Sequence, residues 1–460
     1  MFNSIKFLVS LVLIPTVVLT AQSEEKILSG VLPVGGKPIE LIFVLNENKG
    51  ILDVPAQYAF GIELTTVEFK DDSLFITIDM MAMKYVGKVY GAIDSISGTY
   101  TQGTGSMPLT LFPKTDYKPV ERNQKISPPY PYFTSDVVFK NEEANIEFAG
   151  TITAPDTLGK YPAVILVTGS GPQDRDESLM GHKPFLVIAD WLTKHGIVVL
   201  RYDDRGVGKS KGNFKTGTTM DFVGDASAAL NHLATYNFVD IAKIGVIGHS
   251  EGGVIAPIVA VKNPKTKFII NLAGTGVSGR DIIIEQSELL AKADSTVNEE
   301  HLKMYLQLVT QILDGIIAKP DLAAKQIDSI YTSFMNSLSP EQKESIANVE
   351  QFSKKGLFSL ATPWFIQFLS LDPANWLEKV KVPVLALWGS KDLQVAPKQN
   401  RKPVEDALIK SGAYYEIEIF DSMNHLFQKV ATGGISEYAT TPTTIEPEVL
   451  KRMVEFIKNR

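Results

Sequence analysis

The sequence has 460 residues, with 44% hydrophobic and 21% charged side chains and a formal net charge of −7 at pH 7. A chain of this length exceeds what one hydrophobic core usually serves, so we expect more than one domain. The acidic balance provides no basic surface for phosphate groups, which argues against nucleic acid as a partner. Because the sequence contains no cysteine, disulfides, thiolate metal sites and a thiol nucleophile are excluded.

The N-terminus has the pattern of a secretory signal peptide. Lys6 precedes an apolar run over residues 7–19, which is followed by the small residues Thr20 and Ala21. The run is short for a membrane span. We therefore predict a signal peptide over residues 1–21, cleaved near Ala21, and an exported protein, periplasmic or extracellular, without a stable span after cleavage. A retained N-terminal anchor is the alternative.

Residues 22–112 are predicted to form a small all-β domain. Short runs such as PIELIFVL and SLFITIDM alternate with turns such as NENKG and TQGTG, without a helical period. Residues 113–133 are rich in proline and polar side chains, which predicts an extended linker. The β domain carries no residues in a catalytic pattern.

Residues 134–460 combine apolar runs with helical patterns. Runs such as AVILVTGSG, KIGVIGHS and VPVLALWGS end in glycine or a polar turn, as strands buried on both faces do. Their alternation with helices predicts an α/β fold with a mostly parallel central sheet and functional residues at the carboxyl ends of its strands. An insertion at about residues 277–378 has helical periodicity, and we predict that it forms a helical cap over that edge.

The segment GHSEG, residues 248–252, contains the candidate nucleophile. It places Ser250 in a G-x-S-x-G pattern between a predicted strand and a predicted helix, where a tight, strained turn exposes the hydroxyl. His249 should point away from Ser250, because side chains alternate along an extended strand. We predict that His249 packs beneath the turn.

A serine hydroxyl needs a base to activate it and a carboxylate to orient that base. Asp392 follows the strand VPVLALWGS, and His425 follows the last predicted strand, which is the order of serine, acid and histidine that goes with this turn. Asp421 is an alternative acid. It lies four residues before His425 and is predicted to order that loop instead.

Two other polar segments have simple interpretations. RGVGKS, residues 205–210, lacks the first glycine of a phosphate-binding loop, because Asp203 stands at that position. In GPQDRDE, Arg175 lies among the carboxylates and no histidine has the spacing of a metal ligand. We predict a rigid turn for the first and an ion-paired loop for the second.

Three residues are candidates for the substrate pocket. His182 lies downstream of the loop that follows the first long parallel strand, and Trp364 and Phe365 belong to the apolar segment TPWFIQFL of the predicted cap. The two aromatic side chains would supply an apolar wall above the nucleophile. For most apolar residues of the insertion, packing in the core of the cap is expected instead.

Several segments together resemble one protein family. GHSEGG, VTGSGPQDRDE, GHKPFLVIADWL, LRYDDRGVGKS and NHLF are similar to a bacterial branch of the α/β-hydrolase superfamily, namely exported esterase-like serine hydrolases with an N-terminal β domain. The resemblance implies the α/β-hydrolase fold. It also implies Ser250 as the nucleophile, Asp392 as the acid and His425 as the base.

The same resemblance implies an oxyanion hole. Its donors would be the backbone N–H of Glu251 and one N–H of the TGSG turn, from Ser170 or, because this turn departs from the commoner His-Gly form, from Gly171. A free carboxylate beside a developing oxyanion would oppose catalysis, so the Glu251 side chain should be paired. Arg205 is the predicted partner and Arg175 an alternative, alongside solvation at the helix start or a bound substrate ammonium.

These observations predict an exported serine hydrolase that cleaves a small-molecule carboxylic ester through an acyl-enzyme intermediate, without metal or organic cofactor. A peptidase or amidase acting on short peptides is the alternative within enzymes, because the same triad cleaves both bonds. A non-catalytic binding protein on a hydrolase scaffold is the alternative outside enzymes, and a complete triad argues against it.

Overall fold

The computed structural model describes residues 25–460 except residues 35–36, 58, 295–296 and 348. The predicted signal peptide therefore lies outside the described residues. The chain divides into two compact units, of which the first extends to Lys118 and the second comprises Gln57–Gly61 and Pro119–Arg460. None of the described helices has both the length and the apolar content needed to cross a bilayer.

Nine strands lie between residues 26 and 113: β1 (Lys26–Val34), β2 (Lys37–Asn46), β3 (Lys49–Val54), β4 (Ala59–Glu63), β5 (Thr66–Lys70), β6 (Ser73–Ile78), β7 (Met83–Tyr90), β8 (Ser95–Gln102) and β9 (Gly105–Pro113). They form one sheet in the order β4-β3-β2-β1-β9-β8-β7-β6-β5. Alternate residues of β6, Leu74, Ile76 and Ile78, are buried, as the two-residue period of a strand requires. The predicted all-β character of this part is confirmed.

Eight strands form the sheet of the second unit: β10 (Phe133–Asn141), β11 (Ile146–Ala154), β12 (Tyr161–Val167), β13 (Val198–Tyr202), β14 (Val239–His249), β15 (Phe268–Leu272), β16 (Val384–Gly389) and β17 (Tyr415–Phe420). Their order is β10-β11-β13-β12-β14-β15-β16-β17. The pairings of β11 with β10 and β13 are antiparallel, and every pairing from β13 to β17 is parallel. The carboxyl ends of the parallel strands therefore meet at one edge.

Thirteen α-helices accompany this sheet in the described residues: α1 (Pro184–Lys194), α2 (Thr219–Leu233), α3 (Gly252–Lys262), α4 (Gly279–Ala293), α5 (Glu299–Ala318), α6 (Ala323–Ser337), α7 (Pro340–Ile346), α8 (Lys354–Leu357), α9 (Pro363–Ser370), α10 (Ala374–Leu377), α11 (Pro397–Ser411), α12 (Ile435–Thr440) and α13 (Pro447–Lys458). Every residue of β13, β15 and β16 is buried, because helices cover both faces of a parallel sheet. Thr218 caps α2 in a capping box with Asp221.

The helices α4 to α10 form the insertion between the neighbouring strands β15 and β16. They enclose a hydrophobic cluster of their own, to which Val309, Ile312 and Ile316 of α5 contribute fully buried side chains. The helical periodicity of the insertion is thus explained by its own core. We refer to α4–α10 as the cap.

Candidate active site

Ser250 lies in the tight turn between β14 and α3. Its φ angle of +53° is in the left-handed region, which side chains with a Cβ seldom adopt and which is typical of functional turns. A Cβ at Gly248 would collide with the carbonyl oxygen of Gly252, and one at Gly252 with that of Val167. The Ser250 N–H donates to the Leu272 carbonyl at 2.9 Å. The glycines therefore permit a turn that holds the partly exposed serine in a defined place.

Asp392 and His425 come together at the ends of the adjacent strands β16 and β17. His425 Nδ1 lies 2.8 Å from Asp392 Oδ2, and Asp392 Oδ1 accepts 2.8 Å hydrogen bonds from the N–H groups of Gln394 and Val395. Because an ionised carboxylate only accepts, Nδ1 carries the proton. Nε2 is thus the ring nitrogen that can serve as a general base when the imidazole is neutral.

The residue before Ser250, His249, contacts His425. The His249 ring lies 4.7 Å from the His425 ring, centroid to centroid, so the turn and the imidazole adjoin. In the part of the chain that the structure describes, no hydrogen bond joins Ser250 Oγ to His425. Catalytic hydrogen bonds often tighten only when substrate is present, and the serine–histidine step stays a prediction.

Asp421, the alternative acid, has another role. Its carboxylate accepts hydrogen bonds from Ser390 Oγ at 3.2 Å and from Ser422 Oγ at 3.1 Å. These contacts, together with the Ser422 N–H bond to Ser390 Oγ, order the exposed turns after β16 and β17. The geometry thus agrees with the loop-ordering role predicted for this residue.

The TGSG turn adjoins Ser250. A Cβ at Gly169 would lie 3.2 Å from Ser250 Cβ. The Gly169 N–H is already engaged, because it donates to Glu177 Oε1 at 2.8 Å. Among the described residues, the N–H groups of the next two residues of the turn, beginning with Ser170, and that of Glu251 donate to no protein acceptor. They are therefore the groups available to an oxyanion.

The predicted pairing of Glu251 with Arg205 is wrong. Glu251 Oε1 accepts hydrogen bonds from Thr219 Oγ1 at 2.7 Å and from Trp364 Nε1 at 2.8 Å. The Arg205 guanidinium pairs with Asp225 of α2, with 2.7 Å between Nε and Oδ2. Glu251 is only 3% exposed, and burial raises the pKa of its carboxyl although the two hydrogen bonds oppose this. Two neutral donors thus replace the expected cation.

The GPQDRDE segment is an ion-paired loop, as predicted. Arg175 forms a bidentate pair with Asp203, at 2.7 and 3.0 Å, and so is not a partner of Glu251. Asp176 pairs with Arg201. Within the described ranges, no group of three or more histidine, aspartate or glutamate side chains is arranged to hold a metal ion.

Of the three pocket candidates, only Trp364 reaches the site. His182 is 1% exposed, with Nδ1 2.9 Å from Thr444 Oγ1 and Nε2 2.8 Å from the Tyr438 carbonyl. Its burial lowers its pKa to about 4. The expectation that it lines the pocket is therefore corrected, because both ring nitrogens are committed to the C-terminal segment. Phe365 is buried in the core of the cap.

Sequence reasoning missed two residues of this region. Glu177, the last residue of the acidic segment, turns inward and lies 2.9 Å from His249 Nδ1. Its place in that segment was a signal, because the segment resembles family motifs throughout. Thr219 had no such signal, since a threonine at a helix start is expected only to cap the helix.

Comparison with known proteins identifies relatives of this chain. The profile described as serine aminopeptidase, S33 matches residues 183–427. The chain is 26% identical to esterase EstD of Thermotoga maritima over 285 residues, which are 60% of this chain and 57% of that protein. The alignment thus spans little more than half of the relative.

Solved structures give more distant likenesses. An esterase of Pyrococcus furiosus matches with 17% identity and a TM-score of 0.44, over 75% of this chain and 98% of the other. A proline iminopeptidase of Mycobacterium smegmatis matches with 16% identity and a TM-score of 0.42, over 71% and 98%. At these values the likenesses carry no argument about activity.

Proposed function

The chain belongs to the serine aminopeptidase S33 family, and on that premise we propose that it is a serine esterase with Ser250 as nucleophile, His425 as general base and Asp392 as the acid that orients the base. One observation carries the proposal. The 2.8 Å contact between His425 Nδ1 and Asp392 Oδ2 lies at the same sheet edge as the strained serine turn, which is where this chemistry needs it.

In the proposed reaction, His425 Nε2 takes the proton of Ser250 Oγ while that oxygen attacks the ester carbonyl carbon. The resulting oxyanion is stabilised by the N–H of Glu251 and by a second N–H from the TGSG turn, that of Ser170 or of its successor. When the intermediate collapses, His425 returns the proton to the departing alcohol. Water then attacks the acyl-enzyme while His425 takes a proton from it, and His425 returns that proton to Ser250 Oγ as the acid product leaves.

The choice of an ester over a peptide is supported by the surroundings of Glu251. This carboxylate was the candidate for binding a substrate ammonium, but its Oε1 is occupied by Thr219 and Trp364 and the side chain is buried. The name of the relative EstD points the same way. The family description as aminopeptidases keeps hydrolysis of short peptides as the second candidate.

A substrate panel separates the two candidates. We expect turnover of p-nitrophenyl esters by the full chain and no turnover of aminoacyl or dipeptidyl anilides, and a fluorophosphonate probe should label Ser250. Anilide hydrolysis at rates comparable with ester hydrolysis would favour the peptidase. Absence of both activities and of labelling would favour the binding protein on a hydrolase scaffold.

We further propose that the protein is exported, with a signal peptide over residues 1–21, an all-β domain over 22–112, a linker over 113–133 and the hydrolase domain over 134–460. The support is the order of Lys6, the apolar run and Ala21 in the sequence. Cell fractionation and N-terminal sequencing of the mature protein test it. A mature chain that begins near residue 22 outside the cytoplasm is expected, and an intact N-terminus in a membrane fraction would indicate an anchor.

A further inference from the structure

Glu177 stands at the end of the ion-paired loop in an unusual conformation. Its φ angle is +52°, so a residue with a Cβ occupies the left-handed region. The side chain is turned inward and is 4% exposed. The preceding residues Arg175 and Asp176 are anchored to Asp203 and Arg201. The ion pairs therefore hold the loop in a shape that places one carboxylate in the interior.

One oxygen of that carboxylate joins two parts of the active site. Glu177 Oε1 accepts the Gly169 N–H at 2.8 Å and lies 2.9 Å from His249 Nδ1. Gly169 precedes Ser170, a predicted oxyanion donor, and His249 precedes Ser250. Glu177 Oε2 is buried without a partner among the described residues, a cost in folding free energy. Among the described residues, the hydrogen bonds of this carboxylate are therefore made by Oε1.

His249 extends the connection to the catalytic imidazole. Its Nε2 lies 3.1 Å from the carbonyl oxygen of His425, and because a carbonyl only accepts, Nε2 carries a proton. Burial lowers the pKa of His249, but the charge of Glu177 and the hydrogen bond to it outweigh burial, so the pKa is raised. The hydrogen bond to the His425 carbonyl and the charge of Asp392 raise the pKa of His249 further. The ring has donors on both sides when Glu177 is ionised.

We propose that Glu177 and His249 are positioning residues. They hold the TGSG turn, the serine turn and the His425 backbone in fixed positions relative to one another. The sequence assigns His249 only a packing role beneath the turn, and the hydrogen bonds add this second role. The proposal rests on the proposed function. Neither residue touches substrate: Glu177 acts through Gly169 and His249, and His249 acts through the His425 carbonyl.

Two amide substitutions of His249 test its two hydrogen bonds separately. In His249→Asn the amide can occupy the place of Nδ1 and keep the contact with Glu177, but no donor reaches the His425 carbonyl. In His249→Gln the amide can occupy the place of Nε2 and keep that donor. We expect kcat for a p-nitrophenyl ester to fall by about 10²-fold in His249→Asn, with KM nearly unchanged, and to recover in part in His249→Gln.

Glu177→Gln tests the other half of the pair. A glutamine oxygen can accept the Gly169 N–H, but the neutral amide no longer favours the doubly protonated His249. We expect kcat to fall with KM retained, slower labelling of Ser250 by fluorophosphonate, and a shift of the low-field proton resonance of His425 Nδ1. The matched control is Asp225→Asn, which removes another buried carboxylate, paired with Arg205, and should lower the melting temperature without these changes.

The outcomes separate this proposal from the proposed function. Variants of Glu177 and His249 that lose melting temperature as Asp225→Asn does, while kcat and the His425 resonance stay at wild-type values, would overturn the positioning role. A wild-type protein without ester turnover and without labelling would refute the proposed esterase instead. In that case the His425 resonance in folded wild type and Glu177→Gln still decides whether the pair positions the imidazole.

Discussion

Trp364 Nε1 donates a 2.8 Å hydrogen bond to Glu251 Oε1, so a cap side chain binds the residue that follows the predicted nucleophile. The same helix, α9, is attached a second time, because Gln367 Oε1 accepts the Met220 N–H at 2.9 Å. Met220 lies in the first turn of α2, next to Thr219, which also binds Glu251. The cap is therefore fixed close to the serine turn.

Substitution of the nucleophile or the base should abolish turnover to a similar degree. Ser250→Ala removes the attacking oxygen and His425→Ala the proton acceptor, and triad members act as a unit, leaving a residual of roughly 10³- to 10⁴-fold over water. Ester hydrolysis and fluorophosphonate labelling measure both. Labelling of Ser250→Ala at the wild-type rate would show that another residue is the nucleophile.

Asp392→Asn should lower kcat by roughly 10⁴-fold, because an amide no longer holds the imidazole in the required tautomer. Asp421→Asn is the matched control. Asp421 lies near His425 in sequence, but its carboxylate accepts from Ser390 and Ser422, so turnover by this variant should stay close to wild type. If the two variants exchanged these effects in ester assays, Asp421 would be the acid.

Glu251→Gln keeps the backbone donor and removes the charge, so ester turnover should stay within about tenfold of wild type. Because the folded-state pKa of Glu251 is raised from 4.5, the unfolded chain ionises first as the pH rises. The stability that this carboxyl contributes is present below the unfolded value and is lost as the pH rises through the folded value.

Thermal melts of wild type and Glu251→Gln at pH values from about 4 to about 8 measure this effect. The wild type should lose melting temperature relative to the variant as the pH rises. A constant difference between the two proteins over that range would contradict the raised pKa. In activity assays, a loss of turnover of several hundredfold in Glu251→Gln, confined to substrates with a free amino terminus, would instead support the peptidase.

His182 should make stability fall in acid. Its pKa is lowered from 6.5 to about 4 in the folded state, so the unfolded state takes up the proton first as the pH falls. The contribution is present above the unfolded value and is lost as the pH falls through the folded value, at most about 3 kcal/mol.

His182→Gln should be less stable than wild type at neutral pH, because the contacts with Thr444 and Tyr438 are disturbed, but its stability should decline less in acid. Urea unfolding at several pH values measures the two slopes. KM for esters should be unchanged, because His182 is remote from solvent. A raised KM with an unchanged acid slope would restore His182 to the pocket.

The fold and the candidate residues Ser250, Asp392 and His425 could be predicted from the sequence because each has a local signal. Buried parallel strands are continuous apolar runs, the serine turn needs its glycines, and Asp392 and His425 each follow a strand. The sheet confirms the α/β fold predicted from these signals, and the family match confirms the α/β-hydrolase fold that the resemblance implied.

The partners of buried side chains were not accessible, because tertiary packing selects them. Glu251 finds Trp364 from the cap, 113 residues away in sequence, and Arg205 is taken by Asp225 on the next helix. His182 binds a segment about 260 residues downstream, with 262 residues separating it from Thr444. No local pattern distinguishes these partners from other polar residues.

The insertion point of the cap also bears on how such proteins diversify. β15 and β16 are parallel neighbours, with Ile269 opposite Val384, so the chain leaves the sheet at the carboxyl end of one strand and re-enters it at the amino end of the strand beside it. Residues 273–383 form this crossover, and the cap helices within it can thus be regarded as an exchangeable cassette between two strands that pair directly with each other. Recombination could exchange this cassette and change substrate choice while the sheet and the serine turn stay the same, provided that the new segment again supplies a donor for Glu251.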